Sequence, residues 1–435
     1  MRASLALALL LLALLTDLTR AEPEARRRWT ITPTAARGPE GEIVGNDALW
    51  RAIERAAPGD VLDVEAGQYA WGALGQNGRG PAGTRAQPIT VRARGPVLVR
   101  AQDWGGGATL SVHRGHWVTF EGFTFQASGT GIFFHPNFPG GLRGWHFVDC
   151  EIDGLYDWRG GRSRHPRGVK SKWGISSWGL GDFLWEGGAI RDTHWEHGMY
   201  HHNPVGPITV RDATFERLGR TAIQVRCPID EAGQRGLPAG RGRFTVERCT
   251  IRDVGLADGG SALTLAGRNS MPVNLVGNRI EFGFDRALRA AWERRHPNRR
   301  FGSGAVAIWS ERAGWVNGPL RLVDNTVRYA EGCGDRAALL LGSAPRLLFA
   351  RNTVEVADNE GLNANQLTSA SPRREPWRRA VRINPRDPDA GGARLAGFED
   401  IPSLSGGGNR VQGLLLVNGR PTSGGGLSEE AGGGR

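Results

Sequence analysis

The densest run of chemically active side chains in this sequence is HWEHGMYHHN at 194–203. Histidine, tyrosine and glutamate side chains can each accept or donate a proton, which is what general acid–base chemistry requires. A second run, TAIQVRC at 221–227, adds a glutamine and an arginine that can hydrogen-bond to a carboxylate. These residue types suit removal of a proton from the carbon next to a carboxylate, with an acid for the leaving oxygen.

Strand alternation decides which of these side chains share one surface. If the two runs are aligned at Gly198 and Ala222, Met199 and Ile223 point inward together and their neighbours point outward together. A uronic acid carries the acidic C5 proton next to its carboxylate, so an outward patch of this kind suits a uronate substrate. The residues that we predict to be catalytic are Tyr200, His202 and Arg226.

Neighbouring coils supply further outward side chains that could hold a sugar. A tryptophan can stack on a sugar ring, and amide, imidazole and ammonium groups can hydrogen-bond to its oxygens. The residues that we predict to bind substrate are Gln224, Trp178, Lys172, His135 and Asn203.

The same residues also have structural interpretations. Tyr200 can simply cover the outer face of a strand, and alternation turns His201 inward as a core histidine. A zinc site would need four ligands to converge, which strand alternation prevents, so we predict no metal site. The four potential ligands are His194, Glu196, His197 and His202.

A nine-residue unit that recurs along the chain predicts the fold. Positions one, three and eight are apolar in every unit, and position six is mostly a small residue or asparagine, which indicates strand, sharp bend, strand. The unit starts lie 25 to 47 residues apart, as in a solenoid with loop insertions rather than a propeller. We predict an all-β, right-handed parallel β-helix (a solenoid) of at least eight coils. The units begin at Val118, Trp145, Phe183, Ile208, Phe244, Val273, Leu320 and Leu347.

Position nine of the units alternates in charge from the second unit onward. Stacked strands lie about 4.8 Å apart, so each charge would face an opposite one above and below. We predict one exposed structural column on neighbouring strands. Its members are Asp153, Arg191, Glu216, Arg252, Glu281, Arg328 and Glu355.

A second strand follows each unit and carries the outward patch; examples are GISSW at 174, GMYHH at 198 and AIQVR at 222. Two basic insertions, 157–172 and 282–303, fall just before this second strand in their coils. We predict that both rise from one side of the second-strand sheet and form a basic wall beside the patch.

The chain ends outside the repeats have their own signatures. Residues 1–21 resemble a secretory signal peptide, with Arg2 and an apolar run too short to span a bilayer. We predict a secreted protein, periplasmic or extracellular, without membrane insertion. The predicted parts are a lead-in at 22–45, the β-helix at 46–420, which starts with a short capping helix begun by Asn46, and a disordered tail at 421–435.

Charge and cysteine content limit the partners. The formal net charge is +11, which raises the concentration of polyanions near the surface. For an exported protein this favours an acidic polysaccharide over nucleic acid, and we expect a monomer. Cys150 and Cys249 fall at position six of non-adjacent units, too far apart to bridge, so we expect structural cysteines rather than a disulfide framework.

The segment Ala48–Pro96 resembles the N-terminus of right-handed β-helix proteins of the pectate-lyase-like superfamily. The matching stretches are LWRAIERAAPGDVLDVEAGQY and QPITVRARG, and the repeats extend the resemblance over most of the chain. The superfamily includes polysaccharide lyases, some hydrolases and epimerases, and proteins without known activity. The N-terminal segment is most similar to β-helix alginate and chondroitin lyases, but their calcium-binding acidic cluster and their lysine and arginine motif are not found here. Calcium is therefore possible but unsupported, and we predict no cofactor.

Three functions remain open from the sequence. The first is a polysaccharide lyase, or a related uronate-modifying enzyme, that abstracts the C5 proton of an acidic polysaccharide. The second is a non-catalytic carbohydrate-binding or surface β-helix protein. The third, a glycoside hydrolase, is weaker because it needs two carboxylates facing each other across the sugar. The sequence names neither the polymer nor the mode of cleavage.

Overall fold

In the computed structural model, the nine-residue units are consecutive rungs of a right-handed parallel β-helix. Trp145 lies beside Val118 at the first step, and Leu347 lies beside Leu320 at the last. The intervening units pair in the same register. The predicted fold and the stacking of all eight units are therefore confirmed.

The structure describes most of the β-helix but not the chain ends. The predicted signal peptide and residues 428–435 of the predicted tail lie outside the described residues. The described residues are 27–100, 107–136, 141–227, 242–257, 259–267, 271–299, 301–309, 317–331, 333, 338–356, 381–383, 386–387, 393–394, 401–412, 415–417, 420–421 and 426–427.

Sheet 1 contains both halves of every nine-residue unit, one on each side of the bend. Its parallel strands are Arg28–Thr32, Val61–Val64, Gly67–Tyr69, Ile89–Val99, His116–Gln126, Leu142–Val148, Glu151–Asp153, Leu180–Gly181, Phe183–Glu186, Ala189–Arg191, Ile208–Arg211, Thr214–Leu218, Phe244–Glu247, Thr250–Val254, Val273–Val276, Arg279–Phe282, Leu320–Val323, Thr326–Tyr329, Arg346–Ala350, Thr353–Val356, Ser403–Gly407 and Arg410–Gln412. Antiparallel strands are added at its ends by Ala35–Gly38, Gly41–Val44 and Gly426–Leu427.

Sheet 2 contains the second strand of each coil and closes the solenoid. Its strands are Gly72–Leu74, Ala108–Val112, Thr130–Phe134, Trp173–Trp178, Met199–His202, Ile223–Cys227, Ser261–Gly267, Gly304–Ile308, Leu339–Leu341, Val381–Ile383, Leu415–Val417 and the antiparallel Arg420–Pro421. Two hairpins lie outside both sheets, Tyr156–Asp157 with Arg162–Ser163 and Arg386–Asp387 with Ala393–Arg394.

The bend within each unit is made by a left-handed residue at position five. Where the sequence has glycine there, as at Gly122 and Gly277, φ is +77° and +65°, which glycine adopts without steric cost. Asp212 and Arg248 adopt φ of +55° and +52° in adjacent units, and their side chains form a two-pronged ion pair of 2.7 and 2.8 Å. The predicted sharp bend therefore has a specific backbone cause.

Position six builds an asparagine ladder on the inner side of the bend. The Nδ2 group of Asn278 donates to Oδ1 of Asn325 at 2.9 Å, and Nδ2 of Asn325 donates to Oδ1 of Asn352 at 3.0 Å. Each amide also donates to a main-chain carbonyl of a neighbouring rung, as Asn325 does to Leu275 at 2.8 Å. Every polar atom of Asn325 is therefore satisfied inside the core, and the ladder continues to Asn409.

The charged column at position nine has the predicted register but not the predicted exposure. Each member lies beside the next on a neighbouring strand, yet Asp153 is only 9% exposed and Glu281 only 5%. Arg328 lies 2.8 Å from Glu355 and 3.5 Å from Glu281, whereas Arg191 pairs with Glu151 instead. The exposed part of this prediction is wrong for these two carboxylates, because neighbouring arginines and loops cover them.

The N-terminal helix α1, Ala48–Arg55, packs against the first strands of the solenoid. Leu49 and Ile53 are buried on its inner face. Its N-cap is Asp47 rather than Asn46, and neither the cap side chain nor an acidic first turn supports it. A second helix, α2, spans Arg286–Arg295 inside the insertion 282–303, and Asp285 caps it through the Leu288 N–H at 2.9 Å.

Both ends of the solenoid extend the repeats. Strand Arg28–Thr32, inside the predicted lead-in, pairs in parallel with Val61–Val64, so the lead-in supplies the first strand. At the other end, the strands Arg410–Gln412 and Leu415–Val417 add a further rung. The described part of the predicted tail also pairs, because Gly426–Leu427 lies antiparallel to the strand that ends at Gly407.

The four cysteines are buried and unbridged. Burial raises the thiol pKa of Cys150 and of Cys249 to about 12, so both are protonated and unreactive. No helix among the described residues is long and apolar enough to cross a membrane.

Replacing Asn325 with alanine should lower the free energy of unfolding by about 3 kcal/mol, because it leaves buried ladder partners without hydrogen bonds. Asn274→Ala is the matched control, since Asn274 is half-buried on the outer side of the next-lower rung and should change stability by less than about 0.5 kcal/mol. Chemical denaturation of both variants measures the difference. Equal losses in the two variants would contradict a role for the ladder.

Candidate functional site

The predicted patch forms on the outer face of sheet 2. Tyr200 lies beside Gln224, and His202 lies beside Arg226, on adjacent strands. Met199, His201 and their partners point into the core. The alignment inferred from the sequence is therefore the register of the structure, and it places the three predicted catalytic residues on two neighbouring rungs.

Aromatic packing holds the two central rings of the patch. The imidazole of His202 stacks on the indole of Trp178, with centroids 3.9 Å apart and planes 14° apart. Tyr200 meets the same imidazole edge-on at 4.2 Å. His202 is only 4% exposed, while Tyr200, Trp178, Gln224 and Arg226 are each half-buried. The patch therefore presents rings whose orientations are set before any ligand arrives.

His197, in the turn before the strand of Tyr200, also contacts the patch, which the sequence interpretation missed. Its ring lies 4.9 Å from that of Tyr200, and its Nε2 lies 3.5 Å from a carboxylate oxygen of Glu196. Burial lowers the pKa of His197 to about 3, with smaller effects from Arg220 and His202. The imidazole is therefore neutral at working pH. From the sequence, His197 was only a possible zinc ligand, because side chains in a loop do not alternate and their direction cannot be predicted.

A pair of stacked imidazoles extends the outward column, beginning two rungs before His202. His135 stacks on His113 with centroids 3.7 Å apart and planes 17° apart. Burial and, to a smaller extent, the neighbouring His113 lower the pKa of His135 to about 4. His135 lies in the same column as Trp178, as predicted. It offers a neutral hydrogen-bonding group rather than a positive charge.

The remaining predicted substrate-binding residues differ in accessibility. Lys172 is exposed, with its ammonium 5.9 Å from the Trp173 ring. Trp178 is half-buried, and His202 covers one face of its ring. Asn203 is fully buried in a left-handed turn with φ +45°, so a sugar could reach it only if that turn opened.

His201 points inward, as expected. It is fully buried, and one ring nitrogen lies 2.7 Å from the Ser177 hydroxyl. Among the described residues, no group of three or more histidine, cysteine or acidic side chains is arranged to hold a metal ion. Calcium takes six to eight oxygen ligands, and the outward columns between Thr130 and Gly267 carry no carboxylate. The patch does not fit calcium.

The two insertions lie on the same edge of sheet 2 and contact each other. Both fall between a sheet 1 strand and the following sheet 2 strand. Arg159 forms a 2.6 Å ion pair with Asp285, and Arg295 donates to the main-chain carbonyls of Trp158 and Arg159. Near the patch, the main-chain N–H of Glu196 donates to the carbonyl of Lys172 at 3.0 Å. The two insertions are therefore joined to each other along this edge.

A cavity of about 340 Å³ lies away from the patch, on the sheet 1 side of the second insertion. Its charges are paired with one another, as Arg279 is with Glu281 at 2.6 Å. Burial raises the pKa of Asp253 in its wall to about 7. Tyr200 and His202 do not line this cavity, so it is separate from the patch.

No family model and no curated protein sequence matches this chain. Several solved structures are similar in fold. An alginate lyase from Paenibacillus sp. str. FPU-7 is 17% identical, with 88% of this chain and 99% of that chain covered and a TM-score of 0.39. The pectate lyase Pel9A is 11% identical, with 77% of each chain covered and a TM-score of 0.46. A family 28 exopolygalacturonase from Yersinia enterocolitica is 9% identical, with 90% and 77% covered and a TM-score of 0.45. Similarity this low carries no argument about activity, so the chemistry must be argued from the side chains.

The buried His201 should make the protein acid-labile. Burial lowers its pKa to about 3, whereas an unfolded histidine titrates near 6.5, so below pH ~6.5 the unfolded chain binds the extra proton. The free energy of unfolding should therefore be highest above that pH and decrease as pH falls toward 3, by up to about 1.4 kcal/mol per pH unit from this residue. His201→Leu should flatten the decrease in denaturation experiments between pH 7 and 4.5.

Ser177→Ala is the matched control for this experiment. It removes the hydrogen-bond partner of His201 but keeps the titrating group, so it should lower stability at every pH with an unchanged slope. Parallel pH profiles for wild type and His201→Leu would show that His201 does not cause the acid lability.

Proposed function

We propose that this protein is an exported lyase that cleaves an acidic polysaccharide by β-elimination at a uronate residue. The observation that carries the proposal is the register of sheet 2, which places His202 beside Arg226 and Tyr200 beside Gln224. This arrangement supplies a base, a carboxylate-binding cation and an acid within two rungs. Export rests on the predicted signal peptide at residues 1–21, and the acidic substrate rests on the formal charge of +11.

Arg226 is the group that we assign to the substrate carboxylate. A guanidinium can form two parallel hydrogen bonds to a carboxylate, and charge that develops at C5 as the proton leaves is delocalised into that carboxylate. A cation held there therefore stabilises the transition state more than the ground state. Gln224, half-buried on the same rung, can donate a further hydrogen bond.

The register also separates the two proton-transfer roles. The carboxylate and the abstracted proton are attached to the same carbon, C5, so the base must lie next to the carboxylate-binding group. His202 is the neighbour of Arg226, and we assign it as the base. Tyr200, two residues earlier on the strand, is assigned as the acid, since a phenol hydroxyl can donate as well as accept.

The imidazole of His202 takes the proton from C5, and the C5–H electron pair becomes the π bond between C4 and C5. The bond from C4 to the glycosidic oxygen breaks, and that oxygen leaves with the proton from the hydroxyl of Tyr200. The products are a chain with a new reducing end and a chain whose non-reducing end is an unsaturated uronate.

A hydrolase is less compatible with the patch. Glycoside hydrolysis needs two carboxyl groups about 5 to 10 Å apart across the scissile bond, and the described outward columns of the patch carry none. Glu196, at the edge, is held by Arg220 at 3.1 Å. Glu311 lies outside the described residues.

A non-catalytic carbohydrate-binding protein is the second candidate, favoured by one observation. His202 is only 4% exposed and stacks flat on Trp178, as a ring in a purely structural layer would. In that case the basic edge and the half-buried side chains of the patch would bind an acidic polymer without cleaving it. The two candidates differ in whether unsaturated product forms.

The test is an absorbance screen near the wavelength of unsaturated uronates, with alginate, pectate, glycosaminoglycans and bacterial exopolysaccharides as substrates. Arg226→Ala should then cost about 3–4 kcal/mol in the barrier, a loss of several hundredfold in kcat, as removal of a transition-state donor does. Tyr200→Phe removes only the hydroxyl and should lower kcat by about 100-fold or more while thermal unfolding stays near that of wild type.

Arg321→Ala is the control, since Arg321 is exposed on the outer face of sheet 1 and should leave kcat unchanged. Full turnover in a variant that carries both Tyr200→Phe and Arg226→Ala would overturn the assignment. If no polymer yields product and Arg226→Ala only weakens binding, the carbohydrate-binding function replaces the lyase.

Binding of the acidic polymer should depend steeply on salt. Exposed charges are screened within about 8 Å at physiological ionic strength, so affinity electrophoresis should show weaker retardation in an alginate gel as salt rises. The carboxyl-reduced, neutral form of the same polymer serves as the control and should retard the protein little at any salt concentration. Equal retardation by the two forms would reject the electrostatic contribution.

A further inference from the structure

Trp195 is an exposed aromatic side chain at the edge of the patch, five residues before Tyr200. Half of its surface, 50%, is accessible to solvent. An exposed indole offers a flat apolar face on which another ring can stack. Among the described residues, only Val44, Trp71 and Phe284 are comparably exposed large hydrophobic side chains.

The indole of Trp195 is held by a stack of buried rings. The His194 ring meets it edge-on at 4.3 Å. His194 in turn stacks on Trp158, with planes 8° apart and centroids 5.3 Å apart, and meets Tyr156 at 4.1 Å. The main-chain N–H of Trp195 donates to the carbonyl of Ser171 at 3.2 Å. Trp195 is therefore exposed and also fixed in orientation, which lowers the entropic cost of stacking a ligand on it.

A positive charge lies next to this indole. The Nζ of Lys170 is 5.4 Å from the centroid of Trp195 and 5.7 Å from that of Tyr156. Burial, and then the charge of Lys170, lower the pKa of His194 to about 4, so the imidazole below is neutral. The carboxylate of Glu196 is offset by Arg220, 3.1 Å away. The local field above Trp195 is therefore set by the ammonium of Lys170.

We propose that Trp195 and Lys170 form a subsite for an acidic sugar residue of the polymer that the patch cleaves. The indole stacks on the C–H face of the sugar, and the ammonium pairs with its carboxylate. The inference rests on the proposed function for the identity of the polymer. Five residues of extended chain span at most about 17 Å, so an acidic polysaccharide a few sugars long reaches both Trp195 and Tyr200.

The experiment measures retardation of the intact protein in gels that contain alginate, pectate or hyaluronan, and in gels with their carboxyl-reduced forms. Trp195→Ala should weaken binding of the acidic polymer about tenfold and should also weaken what binding the reduced form shows. Lys170→Met, which keeps the side-chain length, should weaken binding of the acidic form only and reduce its salt dependence. Trp195→Phe keeps a ring and should retain most of the affinity.

Phe284→Ala is the matched control, because Phe284 is 47% exposed but lines the separate cavity; its binding should equal that of wild type. Thermal unfolding of each variant verifies that the ring stack below Trp195 is intact. The subsite is overturned if Trp195→Ala is retarded as strongly as wild type. It is also overturned if none of the three acidic polymers retards the wild-type protein.

The absorbance assay separates this inference from the proposed lyase. If retardation depends on Trp195 but no unsaturated product forms, the lyase is rejected and the subsite is kept. If Trp195→Ala forms unsaturated product with the kcat/KM of wild type, the subsite is rejected and the lyase is kept.

Discussion

Because position five of each unit adopts a left-handed conformation, the two strands of the unit leave the bend in the same direction in every coil. The following strand of sheet 2 then arrives at a constant height above the one before it, whatever the loop between them contains. Side chains alternate with a period of two, so a slip of one residue would turn Tyr200 and His202 into the core. The contact between His202 and Arg226 depends on this bend as much as on either residue.

The interior of the bend adds a second constraint on register. The ladder from Asn278 to Asn409 can form only if the asparagine occupies the same position after the bend in each of these units. Buried amides without partners would each cost about 1–3 kcal/mol, so a displaced rung is penalised at once. Large insertions are tolerated because they fall between the sheets, where no ladder runs.

Burial sets the protonation state of the groups around the patch. The rings of His135, His194, His197 and His201 all have pKa values lowered chiefly by desolvation, so they carry no charge near neutral pH. The positive potential over sheet 2 therefore comes from arginine and lysine side chains rather than from histidine. A neutral imidazole layer beneath cationic side chains suits binding of a carboxylate next to a group that must accept a proton.

The sequence was informative where periodicity applies and uninformative where it does not. Alternation on strands predicted the neighbours of Tyr200 and His202 correctly, since pleating leaves each side chain only two directions. It could not predict that Asp153 and Glu281 would be covered, because exposure depends on loops and on which arginine is nearest. Trp195 and His197 were not assigned to the patch either, since they lie in the turn before the strand, where side chains follow neither strand nor helix periodicity.

The wall beside the patch depends on contact between loops that are far apart in sequence. The two insertions belong to the second and sixth units, and four rungs at about 4.8 Å separate them by about 19 Å. Helix α2, with ten residues at about 1.5 Å each, is long enough to bridge most of that gap. Arg295, in its last turn, bonds to the carbonyl of Trp158, and Trp158 stacks on His194 below Trp195. The orientation of Trp195 therefore depends on a helix that begins 91 residues later in the chain, a coupling that the stacked solenoid creates.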